Sequence, residues 1–216
     1  MSNITKWFIA IPFSILVAFG LPALITQDWI WFIDDWGKIT YVLLTTGMWL
    51  IATGFVDVKK PRPGADIANR LIPIGFILSV PVSVVDSLWG LARFLPDSLV
   101  LIGVGIGLYA IGLGVSARKA LGQAYTPRGA AQEQPNLIRF GPYRWVRHPI
   151  YSAAILWCIG WPLFLKSPLG ILTALAFIIP ALHIRIRAEE LELIRVLGDD
   201  YSKYQKETWR LIPFIY

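Results

Sequence analysis

Stretches without charge divide the chain. They run over 7–27, 39–56, 71–85, 98–117, 150–165 and 167–184. The first, 21 residues from Trp7 to Gln27, is long enough to cross roughly 30 Å of hydrocarbon. It is longer than the apolar core of a cleaved signal peptide, so a retained first helix is expected. The third reaches spanning length only by running past Asp86 to Leu91. The fifth and sixth are parted by Lys166, Ser167 and Pro168, which predicts a tight helical hairpin. The expected fold is all-α: a polytopic membrane helix bundle of five to six spans with cytoplasmic C-terminal helices. Residues 1–117 form its transmembrane bundle, and 118–216 hold the two long polar segments, 118–149 and 185–216.

Local signals refine these elements. Two prolines and a glycine make Lys59–Gly64 a loop. Pro149 suits the first turn of a helix, where its missing N–H would be unpaired anyway. Leu182, Ile186, Leu191, Ile194 and Leu197 recur at helical spacing up to Gly198, a good left-handed stop. Asp199–Thr208 reads as a further short helix with Tyr201 and Tyr204 on one face. Pro213 ends regular structure. Gly103, Gly105, Gly107, Gly112 and Gly114 lie inside an apolar span, where small residues favour close helix packing over a nucleotide loop.

Composition narrows the class. Of 216 residues 56% are hydrophobic and 16% charged, with ten Trp, eight Tyr and eleven Phe. A disordered tail, a collagen-like repeat and a disulfide-stapled secreted domain are excluded by that balance, and it offers too little polar surface to favour a soluble globule. The one cysteine, Cys158, excludes an internal disulfide and any CxxC metal or redox motif, and it reads as a small buried hydrophobe. No metal site is expected.

The net charge of +6 has an internal order. If all six segments cross, one side holds 17 of the Lys and Arg residues and the other holds Lys38, Arg93 and Lys166. The positive-inside rule then puts both termini in the cytoplasm. The excess is an orientation signal, so no nucleic-acid partner is expected. The outer loop 28–38, with Trp29, Trp31 and Trp36 among three Asp, reads as an interfacial anchor.

Two blocks carry chemistry. Gly141-Pro142-Tyr143-Arg144-Trp145-Val146-Arg147-His148-Pro149-Ile150-Tyr151 puts Arg147 and His148 at a helix entrance, whose amides and dipole attract anions. Arg185-Ile186-Arg187-Ala188-Glu189-Glu190 leaves the sixth span. There Arg185 and Glu189 share a helix face, and Arg187 and Glu190 are spaced to pair. Each block alone could be a membrane anchor or a salt-bridged helix. The hairpin returns both to one membrane surface, where together they could hold a zwitterion. S-adenosylmethionine carries one, and Tyr143, Trp145 or Tyr151 could steady its sulfonium. Residue chemistry alone does not single out that ligand.

The joint pattern G-P-Y-x-x-x-R-H-P-x-Y, R-x-x-x-E-E, G-D-D-Y-x-x-Y and R-L-I-P-F-I resembles the isoprenylcysteine carboxyl methyltransferase family over about residues 115–216. The resemblance implies an integral membrane methyltransferase using S-adenosyl-L-methionine, with residues 118–216 as its methyltransferase region (cofactor loop, helical hairpin and cytoplasmic C-terminal helix), a cytoplasm-facing pocket and a lipid-side entrance for a lipid-like or prenylated acceptor. Carried over by position, Tyr143, His148, Pro149, Ile150, Tyr151 and Glu189 would line the cofactor site. Leu137 and Ile138 match a cofactor-contacting stretch, and Arg185 would face the acceptor. The chain departs from the family pattern at Pro135 and near Arg128. Similar motifs occur in phospholipid N-methyltransferases and small-thiol methyltransferases, so the acceptor stays open.

A carboxylate acceptor needs no base, and Arg185 would position it by a forked hydrogen bond. An amine acceptor would need one, and Glu189 or Glu190 is the candidate. Two rivals remain. An NADPH-dependent membrane lipid reductase could use Arg128, Arg139 and Arg144 for phosphates. A transporter or other non-enzymatic membrane protein would need ionisable groups at mid-span, where this chain has almost none.

Overall fold

The structure is a computed structural model that describes residues 66–89, 94–124 and 137–214, together with Leu24. The expected spans 7–27 and 39–56, the outer loop 28–38, and Arg128 and Pro135 lie outside the described residues. The described helices are α1 (Asp66–Trp89), α2 (Ser98–Ala124), α3 (Pro149–Phe164), α4 (Pro168–Leu197) and α5 (Asp199–Glu207). A 3-10 turn, Gly141–Arg144, precedes α3. Among these residues there is no strand, only one parallel bridge between Val146 and Trp209.

Helix ends fall where the residue types dictate. α3 opens on Pro149 with His148 as its cap residue. α4 opens on Pro168, and the Ser167 hydroxyl accepts from the Gly170 amide at 2.9 Å, a serine cap. Gly198 stops α4 at φ +57, in the left-handed region that costs a glycine nothing. α1 runs through Asp86, as a full-length third segment requires.

α2 and α4 are long and apolar enough to cross a membrane, over Ser98–Gly122 and Pro168–Leu197. α3 has 16 residues and a length of about 24 Å. α1 packs against α4, α2 against α3, and α3 against α4. Each of these pairs is antiparallel. Asp86, late in α1, accepts from Ser167 at 2.7 Å and from the Leu169 amide at 3.1 Å. Close beside that end, Lys166 reaches Asp97 at 2.9 Å. The core between the helices holds Val84, Trp157, Trp161, Ile178, Leu182 and Ile186, together with the buried Cys158.

The glycines of α2 divide into two sets. A Cβ at Gly103 would lie 2.4 Å from the Phe164 backbone nitrogen, and one at Gly160 would lie 2.9 Å from that of Gly107. These positions let α2 and α3 touch backbone to backbone. Gly105 and Gly112 have nothing within 4 Å. The expectation of close packing therefore fails for these two. They lie off the 103–107 stripe, since only residues three or four apart share a helix face.

Candidate active site

The hairpin returns His148 and Glu190 to one end of the bundle. Three chain segments are tied there. Residues 145–148 pair with the C-terminal segment: Arg147 N donates to Trp209 O at 2.8 Å, His148 N to Arg210 O at 3.2 Å, and Trp209 N to Trp145 O at 3.0 Å. The Ser152 hydroxyl adds a bond to Leu211 O at 2.6 Å. Arg147 also donates to the carbonyls of Gln205 (2.9 Å) and Thr208, a cation at the C-terminal end of α5 where the helix dipole favours one.

Glu190 is buried at 4% exposure, and three cationic or imidazole side chains surround it. Its Oε1 accepts from Arg147 Nε at 3.0 Å and lies 3.3 Å from His148 Nε2. Its Oε2 accepts from an Arg210 terminal nitrogen at 2.7 Å. One carboxylate thus fastens the loop before α3 and the C-terminal segment to α4. The expected Arg187–Glu190 pair is not formed. Arg187 points out into the open, because the buried carboxylate gains more from enclosed cations than from one on an exposed face.

A second chain of polar groups runs beside the first. Arg185 is buried, and its Nε donates to the Tyr151 hydroxyl at 2.9 Å. That hydroxyl donates to Glu189 Oε2 at 2.6 Å. Tyr151 of α3 therefore bridges the two α4 residues that share a face. Its ring stacks on His148 with centroids 5.4 Å apart. The two polar chains meet at this stack.

Other residues of the two blocks take different places. Tyr143 sits half-buried in the 3-10 turn. Burial raises its hydroxyl pKa, and the Glu189 carboxylate raises it further. Its carbonyl accepts from Tyr204 at 2.6 Å. Arg144 and Trp145 are exposed, with the guanidinium 4.7 Å from the indole centroid. Leu137 and Ile138 are half-buried, ahead of the turn. Pro149 is fully enclosed, and Ile150 packs against the core.

Tyr201, Tyr204 and Arg210 belong to the same end of the molecule but were not among the residues read as site residues. Tyr201 and Tyr204 are buried with rings 5.9 Å apart. Tyr204 has its pKa pushed up to about 12, by burial first. The Tyr201 hydroxyl is buried without a hydrogen-bond partner. Burial raises its pKa, and the charges of Glu190 and Glu189 add to that while Arg147 opposes it. An unpaired buried hydroxyl is costly, so this is a place where a ligand group would be welcome. The signals for the tyrosines are the helical spacing of 201 and 204 and their place in G-D-D-Y-x-x-Y. Arg210 opens the R-L-I-P-F-I motif, but only the folding back of the C-terminal segment brings it to Glu190.

Comparison with known proteins bears on this end of the molecule. Residues 99–200 match the family model described as phospholipid methyltransferase. The stretch takes in nearly all of α2, the 3-10 turn, α3 and α4. Among its relatives, the protein-S-isoprenylcysteine O-methyltransferase of Saccharomyces cerevisiae is 35% identical over 79 residues, covering 37% of this chain and 33% of that protein. The probable protein-S-isoprenylcysteine O-methyltransferase of Oryza sativa subsp. indica is 30% identical over 116 residues, covering 51% and 61%. The protein-S-isoprenylcysteine O-methyltransferase of Homo sapiens is 35% identical over 80 residues, covering 37% and 28%. Over part of its length the chain is thus similar to a phospholipid methyltransferase family model and to proteins named as isoprenylcysteine O-methyltransferases. The matched stretches span between 28% and 61% of these relatives' own lengths.

Proposed function

We propose that this chain is an integral membrane methyltransferase that transfers a methyl group from S-adenosyl-L-methionine to the carboxylate of an isoprenylcysteine-type acceptor. The observation that carries the reading is the pair of buried polar chains, Arg185–Tyr151–Glu189 and His148–Glu190–Arg147, at one end of an apolar hairpin. Buried ionisable groups at the end of a span are costly unless paired or used. Here they sit within or beside the region that matches the family.

The donor set fits the cofactor's methionine moiety. Glu189 offers a carboxylate for an ammonium group. Arg185, His148 and Arg147 make the surroundings favourable to a carboxylate, the stacked Tyr151 and His148 rings suit a sulfonium, and the orphaned Tyr201 hydroxyl is a donor in waiting. When bound, S-adenosylmethionine supplies an already activated methyl group. The protein's task is then alignment and exclusion of water. Tyr143, His148, Pro149, Ile150, Tyr151 and Glu189 form the cofactor side, with Leu137 and Ile138 at its edge. Arg185 orients the acceptor carboxylate, which is ionised at neutral pH and needs no base.

Glu190 holds the site's walls together. With both oxygens engaged by cations, it is poorly placed to take a proton. For an amine acceptor that leaves Glu189 as the candidate base. The division at 117/118 is one of role, since α2 runs through it unbroken. The chain is read as multi-pass, with its termini and this site facing the cytoplasm, on the strength of its basic asymmetry.

The test uses the purified full chain with methyl-labelled S-adenosylmethionine and a farnesylcysteine analogue bearing a free carboxylate. Base-labile label in the lipid product supports the proposal. Label resistant to base would mean N- or S-methylation, and absence of transfer to any lipid or thiol fraction would overturn the enzyme reading.

A further inference from the structure

The 3-10 turn has two sides. Tyr143 lies on the side of Glu189 and Tyr204. Pro142, Arg144 and Trp145 line an open groove of about 590 Å³ against Tyr109, Gly112 and Leu113 of α2. The turn can lie close to α2 because Gly141 has φ +61 and its Cβ position falls only 3.4 Å from the Ala120 side chain. The groove therefore sits beside α2, which is long and apolar enough to cross a membrane, near the end that carries the polar site.

Its chemistry is that of a lipid with a charged head. The floor is apolar apart from backbone and hydroxyl groups. Gly112 lines the groove, and a Cβ there would meet nothing within 4 Å. At the rim stands Arg144, exposed and stacked on Trp145, with no acidic partner in hydrogen-bond or salt-bridge range among the described residues. A cation and an indole at the edge of an apolar cleft form the pair that settles at the headgroup level of a bilayer.

We infer that this groove binds one anionic phospholipid, an acyl chain along Tyr109, Gly112 and Leu113 and its phosphate-bearing head at Arg144. The inference rests on the membrane reading proposed above, but not on the methyl-transfer reading. The turn separates the groove from the Arg185–Tyr151–Glu189 chain, so the bound lipid is a resident of the scaffold rather than the acceptor. It would brace the turn that holds Tyr143.

The test is photo-crosslinking of the full chain in detergent with diazirine-bearing phosphatidylglycerol, and separately with phosphatidylcholine of the same chains. Labelled peptides are mapped by mass spectrometry. The expected result is label on 109–116 or 141–145, with phosphatidylglycerol favoured about fivefold, the effect of one cation near an anionic headgroup. Gly112→Phe should abolish that label. Its added ring enters open space on a helix, so the fold is kept, and the thermal midpoint checks this. Arg144→Gln should keep the label and erase the preference. Equal labelling by the two lipids in the unaltered chain, label confined to other segments, or displacement by a farnesylcysteine analogue would each overturn the inference. The last result would assign the groove to the acceptor. Methyl transfer measured on the same preparation reports on the enzyme reading separately.

Discussion

The α3–α4 hairpin buries a carboxylate near each of its two ends, and the two are held in opposite ways. At the turn, Asp86 accepts from a hydroxyl and a backbone amide. It lies at the N-terminal end of α4, where the helix dipole favours negative charge. At the open end, Glu190 is held by Arg147, His148 and Arg210. Both residues are 4% exposed, so burial alone does not separate a cap from a site. The company does. A hydroxyl and a backbone amide fix Asp86 at the hairpin turn, where it serves as a cap. Around Glu190 stand cations, a stacked imidazole and phenol, a second carboxylate and an unpaired tyrosine hydroxyl. That surplus of polar capacity is what a ligand needs.

The contrast can be broken by mutation, most forcefully at Glu189. Glu189→Ala should lower S-adenosylmethionine affinity by about a hundredfold or more, the scale for losing a buried charge partner. Calorimetry on the purified chain measures it, and undiminished affinity would remove the proposed site. Next comes Glu190→Ala, which leaves enclosed cations without their partner. It should destabilise the protein by about 3 kcal/mol or more, read as an earlier thermal transition in detergent. A variant as stable as the parent would show that Glu190 is not the fastening point.

Tyr201→Phe sharpens the comparison because stability and binding should part. Removing an unsatisfied hydroxyl should be neutral or slightly stabilising, while a lost cofactor hydrogen bond should weaken binding by about two- to tenfold. Unchanged affinity would make Tyr201 a packing residue only. The smallest effect is expected at the other end of the hairpin. Asp86→Asn should cost about 1 kcal/mol of stability through its capping bonds and leave S-adenosylmethionine affinity as it was. A large loss of affinity there would mean that the two ends are coupled through α4.

Much of the architecture was legible without tertiary structure. The hairpin at 165–168, the start of α3 at Pro149, the stop at Gly198 and the short helix with Tyr201 and Tyr204 follow from proline, glycine and helical period. These are backbone restrictions that act locally, so local residue types reveal them. The site was legible as two blocks, since unusual charge at span ends stands out against an apolar background. The pairing between blocks was not. Helical spacing brings Arg185 near Glu189, but it cannot say that Tyr151 of another helix stands between them. The glycines of α2 show the same limit, since Gly103 and Gly112 have the same residue type and different neighbours.

Among the described residues, sequence by itself thus determined the helices and the residues rich enough in chemistry to form a site. Backbone sterics and the cost of burying charge set these, and both act on single residues and single turns. The tertiary structure alone decided partners. It chose Arg147 and Arg210 over Arg187 for Glu190, left the Tyr201 hydroxyl unpaired, and put Arg144 on the far side of the turn from Tyr143. A buried polar group takes whichever partner the packing brings within about 3 Å, and that choice exists only once distant segments meet.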